Sequence, residues 1–309
     1  MTKKKIIFIV GPTAVGKTDV AFWLAKKLKT QIISCDAMQV YKEVSILTGK
    51  PSLKMLGGIK HYLIDVISVA KNFDVSMFRQ EALKAICAIE KKKTIPIVVG
   101  GSGLYMSVLL DGIFEEKDSE KNFEVRKRIE ENIKNNGREE ALERLKEIDP
   151  ISASRIHAND VRRLVRALEV FEVCGKPISQ LHPNREGLWG KYDICIFVLN
   201  RDRDKLYSDI DKRVDKMFQK GAVKEIENIK GKKISRTAKS IIGFKEISEF
   251  LDGRCDLEQT KEIIKKNTRN FAKRQLTWFR RDQRLEWINI KDNDTVKNIG
   301  EQILREAMK

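Results

Sequence analysis

Lys5-Ile6-Ile7-Phe8-Ile9-Val10 runs directly into Gly11-Pro12-Thr13-Ala14-Val15-Gly16-Lys17-Thr18, and a helical pattern follows to about residue 28. The junction matches G-x-x-x-x-G-K-[ST] between an apolar strand and a helix, the setting in which this spacing forms a phosphate-binding P-loop. Its glycines let main-chain N–H groups converge on an anion, and the helix N-terminus adds partial positive charge. Lys17 offers a point charge to terminal phosphate oxygens, and the Thr18 hydroxyl is a ligand for Mg²⁺. A chance glycine turn is disfavoured by the flanking pattern. A ligand bearing a diphosphate follows from this loop; that it is ATP does not.

Outward from the loop, β-rich runs at 31–35 and 95–99 alternate with a helical pattern at 75–90. That alternation predicts a parallel sheet with crossover helices. The texture changes from about residue 119: Phe123, Ile129 and Ile133, then Ala141, Leu142, Leu145 and Ile148, recur at helical spacing with no convincing strand. A run apolar on consecutive positions returns at 192–199, as expected of a strand covered on both faces. Long amphipathic stretches at 203–220 and 256–281, a strand at 285–290 and a helix capped by Asp294 complete the chain. The reading is an α/β protein: a P-loop parallel-sheet core flanked by helices, built from 1–113 and 192–309, with an all-helical insertion domain over 114–191.

The chain has 309 residues, 41% of them hydrophobic and 34% charged, which argues for a folded globular protein. No apolar run approaches the roughly 20 residues that span a bilayer, so a cytoplasmic protein is expected. Cys35, Cys87, Cys174, Cys195 and Cys255 include no Cys-x-x-Cys, and His61, His157 and His182 lie at no zinc spacing. Reduced thiols and no structural zinc are expected, with His61 structural. Lys and Arg number 61 against 44 Asp and Glu, a net charge of +17. Residues 1–113 carry 17 basic and 8 acidic side chains (+9), 114–191 carry 16 and 16, and 192–309 carry 28 and 20 (+8). Such an excess suits a polyanionic partner or a merely lysine-rich surface.

The run at 95–99 ends in Gly100-Gly101-Ser102-Gly103, without the carboxylate that organises the metal in most phosphoryl-transfer enzymes. Asp36 ends the 31–35 run, at the sheet edge where open α/β folds place their ligands. Its carboxylate there is a metal ligand, a general base, or simply a helix cap beside a packed Met38 and Tyr41. Ala37-Met38-Gln39-Val40-Tyr41 combines small, amide and aromatic side chains, better suited to a base edge than to a metal.

Taken together, GPTAVGKT at 11–18, DAMQVY at 36–41, GGSGLY at 100–105 and KRQLTWFR at 273–280 resemble the bacterial tRNA dimethylallyltransferases. HYLID at 61–65, DVRRLVRALEV at 160–170 and IGFKE at 242–246 extend the resemblance from residue 6 to about 284. It implies transfer of a dimethylallyl group from dimethylallyl diphosphate to N6 of the adenosine 3′ of a tRNA anticodon, with Mg²⁺, pyrophosphate being released. Gly11 to Thr18 would hold the diphosphate and Thr18 the metal; Asp36 would be the base, with Lys17, Ser102 and Arg213 also catalytic. The resemblance further implies tRNA contacts at Asp36, Ala37, Met38, Gln39, Ser102, Arg126, Asp160, Val161, Arg162, Arg163, Leu164, Arg166, Lys273, Arg274, Gln275 and Arg280. Ser102 replaces a usual Thr, Ala37 a usual Ser, and Phe244 and Phe271 usual Tyr residues. The anticodon stem-loop and the prenyl diphosphate are the partners implied, acting on a monomer.

Residue chemistry leaves other readings beside this one. Arg213 by local sequence is equally an exposed helix arginine paired with Asp209 or Asp211. Arg269, Lys273, Arg274, Arg280, Arg281 and Arg284 interleave with Phe271, Trp278 and Phe279, which suits phosphate contacts more than stacking. An adenylate isopentenyltransferase would need neither the insertion nor the charge. A small-molecule kinase would need an adenine site and an arginine lid, and a non-catalytic RNA-binding module would use the loop as a switch.

Overall fold

The computed structural model describes residues 3–52, 57–113, 119–181 and 185–309, so His182 lies outside the described residues. They fall into two compact units, Met1–Leu110 with Leu188–Lys309, and Asp111–Gly187.

The first unit is built on six strands: β1 (Lys5–Val10), β2 (Ile32–Ser34), β3 (His61–Tyr62), β4 (Ile97–Gly100), β5 (Asp193–Arg201) and β6 (Glu286–Ile290). Their spatial order is β3-β2-β4-β1-β5-β6, every pairing parallel. β1 is central and shows why its sequence is apolar at every position. Ile6, Phe8 and Val10 enter one core layer, with Ile33, Val98, Ile196 and Val198. Ile7 and Ile9 enter the other, with Ile32, Ile97, Phe197 and Leu199. A strand covered on both faces has no solvent side on which to place a polar residue. Helices α1 (Lys17–Lys27), α2 (Val75–Glu90) and α3 (Gly103–Asp111) connect the first strands. The crossovers leave the ends of β1, β2 and β4 level, with Val10 paired to Gly100 and Ser34 to Val99.

The second unit contains α4 (Ser119–Asn136), α5 (Arg138–Ile148), α6 (Pro150–Ala153), α7 (Val161–Cys174) and α8 (Ile178–Leu181). Its core joins Val125, Ile129, Ala141, Leu145, Leu164, Val165 and Leu168. Phe123, expected on that apolar face, is 69% exposed. Val125 takes the place instead, because 125 and 129 are one helical turn apart whereas 123 and 129 are not. Asp160 caps α7, accepting from the Arg163 N–H, and left-handed Gly175 ends it.

After β5, the first unit continues through α9 (Arg203–Gln219), α10 (Ala222–Glu227), a 3₁₀ turn (Ala238–Ser240), α11 (Phe244–Leu251), α12 (Leu257–Phe279) and, past β6, α13 (Val296–Ala307). Two expectations need correction. Thr295, not Asp294, caps α13: its Oγ1 accepts from Asn298 N–H, while the Asp294 carboxylate turns back to the Lys291 N–H. The two-residue strand β3 was not expected, being too short to show alternation; its His61 ring nitrogen Nδ1 meets the Ile59 carbonyl at 2.9 Å.

Candidate active site

Four chain segments meet at the carboxyl end of the sheet. The loop after β1 is held open by left-handed backbone: φ is 146° at Gly11, 67° at Ala14 and 93° at Gly16. Gly11 has no alternative, since a Cβ there would lie 2.4 Å from the Leu199 carbonyl oxygen of β5. No side chain caps α1, so its first N–H groups remain available to an anion. Lys17 Nζ donates to the Pro12 carbonyl at 2.6 Å. Burial pushes its pKa down to about 7, against which the Asp36 charge works, while Arg213 lowers it further.

Asp36 follows β2. Its Oδ1 accepts from the Met38 and Gln39 N–H groups at 2.8 and 3.3 Å, an Asx turn that locks the carboxyl group while leaving Oδ2 without a partner among the described residues. The helix-cap reading of this residue is not realised: no helix follows Asp36, and its carboxylate closes a turn instead, with one oxygen left over. Ala37 and Met38 pack partly against the core, and Gln39 Oε1 accepts from Ser34 Oγ at 3.0 Å. Tyr41, expected beside the carboxylate, is fully buried and donates its hydroxyl to Thr237. An aromatic of that size wholly inside the core has no surface left for a ligand.

Ser102 follows β4 and caps α3: its Oγ accepts from the Tyr105 N–H at 3.3 Å. Arg213 on α9 is not the exposed, paired arginine that local sequence allowed. Asp209 pairs with Arg201 at 2.6 Å and Asp211 with Arg269 at 2.5 Å, so both neighbours are taken. Arg213 instead packs its guanidinium against Gly49, where a Cβ would approach within 1.9 Å of Nη2. Burial lowers its pKa and the charge of Asp36 raises it. The charge of Asp36 thus acts on both Lys17 and Arg213, beside the loop amides, an arrangement of donors that can stabilise a departing polyanion.

Among the described residues no three His, Cys, Asp or Glu side chains are grouped to hold a metal ion. The Thr18 hydroxyl, in the first turn of α1, has no hydrogen-bond partner among them. One hydroxyl plus diphosphate oxygens and water is a donor set that fits Mg²⁺.

Several residues expected at an RNA surface sit elsewhere. Leu164 is fully buried in the helical core, and Val161 packs against that core, because both lie on the apolar face of α7. Gln275 is only 6% exposed: its Oε1 accepts from the Thr13 N–H and its Nε2 donates to the Gly101 carbonyl, both at 2.9 Å. It ties the P-loop to the loop after β4. Gln275→Leu should leave both main-chain groups unpaired and cost about 1–3 kcal/mol, measured by urea denaturation. Arg269 is held in the α9–α12 ion pair and Arg126 and Arg166 both donate to Glu169, while Phe279 is buried, as the core reading of the aromatics expects. Arg162, Arg163, Lys273, Arg274 and Arg280 are exposed, Arg163 in an ion pair with Asp160 at 3.1 Å. Sequence reading missed Glu225, whose carboxylate meets the 44–50 loop only in three dimensions; no local spacing marks it.

The IPP transferase family model matches residues 39–282. A tRNA dimethylallyltransferase of Lachnoclostridium phytofermentans is 41% identical over 303 residues, 97% of this chain and 96% of that protein. That of Acetivibrio thermocellus is 42% identical over 296 residues, 95% and 94% of the two chains. Among solved structures, the tRNA isopentenylpyrophosphate transferase of Bacillus halodurans superimposes with a TM-score of 0.71 at 32% identity, covering 99% of this chain and 97% of that one. A eukaryotic dimethylallyltransferase acting on tRNA gives a TM-score of 0.80 at 29% identity, covering 94% of this chain and 74% of that one.

Proposed function

Because the chain belongs to the IPP transferase family, whose reaction of dimethylallyl transfer to adenosine in tRNA it performs, we propose that this crevice joins dimethylallyl diphosphate to N6 of the adenosine 3′ of the anticodon. The observation that carries this reading is the meeting of an anion-holding loop, two cations and one half-free carboxylate at a single sheet edge.

An allylic diphosphate ionises once its leaving group is neutralised. The amides of residues 11–18, Lys17 and Arg213 hold the diphosphate oxygens and stabilise the charge that grows as the C–O bond breaks. Thr18 is the side chain that would hold Mg²⁺, which supplies further charge neutralisation to the diphosphate. The adenine N6 has its lone pair delocalised into the ring and must lose a proton as the new C–N bond forms. Asp36 Oδ2 accepts that proton while Oδ1 stays bound to the Met38 and Gln39 amides. Ala37, Met38 and Gln39 line the adenine side with Ser102. An anticodon-loop base is already unpaired, so moving it into the crevice costs little.

Incubation with radiolabelled dimethylallyl diphosphate, Mg²⁺ and unmodified tRNA should give labelled tRNA, with pyrophosphate inhibiting and ATP neither required nor hydrolysed. Label transfer to AMP in preference to tRNA, or tRNA-stimulated ATP hydrolysis, would overturn the assignment. The exposed Arg162 and Arg163 of the insertion contact RNA phosphates in this reading, as do Lys273, Arg274 and Arg280 of the core. Replacing Arg162 and Arg163 by alanine should weaken tRNA binding and reduce the slope of log K against log salt by about 0.9 for each phosphate no longer neutralised. An unchanged slope would make them a solvated face.

A further inference from the structure

Glu225 has no part in the chemistry described above, yet it organises the loop between the two halves of the site. Its Oε1 accepts from the Ser45 and Ile46 N–H groups, each at 2.7 Å, and its Oε2 from the Leu47 N–H at 3.0 Å. Consecutive amides converging on one carboxylate are charge-assisted bonds, and they fix the backbone of the turn that donates them. The turn continues into Thr48, which is buried and donates its hydroxyl to the Val44 carbonyl at 2.6 Å. The Thr48 carbonyl accepts from Gln39 Nε2 at 3.5 Å. Gly49 follows with φ +60°, pressed against the Arg213 guanidinium. Lys50 closes the loop on the Tyr41 carbonyl and on Asp65. One short segment thus backs the cation at the diphosphate end and steadies the amide at the adenine end.

We propose that Glu225 is a positioning residue for prenyl transfer. By clamping the amides of residues 45–47 it sets the Gly49 turn that seats Arg213 and the Thr48 carbonyl that orients Gln39. The proposal rests on the roles given above to Arg213 and Gln39.

The test is a double-mutant cycle in single-turnover transfer to tRNA, using Glu225→Ala, Arg213→Ala and the pair. Glu225→Ala should slow transfer roughly 10- to 100-fold with tRNA affinity nearly unchanged, since small misplacements of a reacting group have effects of that order. Glu225→Gln, which keeps acceptor oxygen, should fall between it and wild type, and it carries the cycle should the alanine protein not fold. In the Arg213→Ala background the same Glu225 substitution should slow transfer much less than it does alone, because the group it positions is gone. Independent structural damage predicts instead that the two effects multiply. Multiplying effects, or a Glu225 variant at wild-type rate, overturn the positioning role and leave the transferase assignment intact. An Arg213→Ala enzyme at wild-type rate removes the Arg213 assignment and the positioning role with it.

Discussion

Lys17→Ala should lower the rate of prenyl transfer by about 10²- to 10³-fold or more, the loss typical of removing one preorganised donor to a developing anion. Binding of tRNA should survive if, as proposed, it draws on the exposed cations of α7 and α12, so filter binding and single-turnover transfer separate the two effects. A pH signature accompanies the lysine. In the ligand-free protein burial has lowered its pKa from 10.5 to about 7. Arrival of a diphosphate restores the charged form and takes up a proton, so the affinity for pyrophosphate should decline as pH rises through 7, measured by calorimetry in buffers of different ionisation enthalpy. The linkage to folding has the opposite slope. Between pH 7 and 10.5 the unfolded chain binds the proton that the folded one has released, so the Lys17 contribution makes stability rise with pH across that window. Lys17→Met should therefore raise the Tm of the ligand-free protein at pH 7 while slowing transfer as Lys17→Ala does. A Tm equal to or below wild type would mean that Lys17 meets solvent or a counter-ion in solution.

Asp36→Asn should slow transfer by roughly 10²- to 10⁴-fold, the range for removing a positioned general base. The substitution keeps the Asx turn, since the amide oxygen can accept from Met38 and Gln39 as Oδ1 does now. Folding and tRNA affinity should change little, which isolates the proton transfer. Single-turnover transfer and filter binding read the two effects separately. An unchanged rate would make Asp36 a turn-forming residue and return the base role to solvent.

The P-loop, the parallel core and the helical texture of the insertion were legible because each is a local pattern. A strand apolar at every position, a glycine turn and a following helix are contiguous in the chain, and the forces behind them act over a few residues. Burial of β1 in one core layer with Phe78 and Ile86 of α2 and in the other with Val20 and Leu24 of α1 is what the unbroken KIIFIV run requires. Asp36 was legible for the same reason: it ends a strand, and strands of a parallel sheet end at one edge.

What the sequence left undecided depends on contacts between distant segments. Arg213 had two carboxylates close in sequence, and only the folded chain commits Asp209 to Arg201 and Asp211 to Arg269, leaving the arginine against Gly49 and within the field of Asp36. Gln275 lies in a basic stretch that reads as RNA-facing, but one position on each turn of α12 faces the core, and its amide is the group that reaches both Thr13 and Gly101. Leu164 is the same case on α7. Glu225 is separated from Ser45 by 180 residues, and no spacing rule spans such a distance. Local hydrogen bonding and periodic burial determined the elements and the loop that holds an anion. Tertiary packing decided which charges are neutralised by neighbours and which remain to meet a ligand, because an ion pair forms with whichever partner the fold brings within reach, wherever that partner lies in the chain.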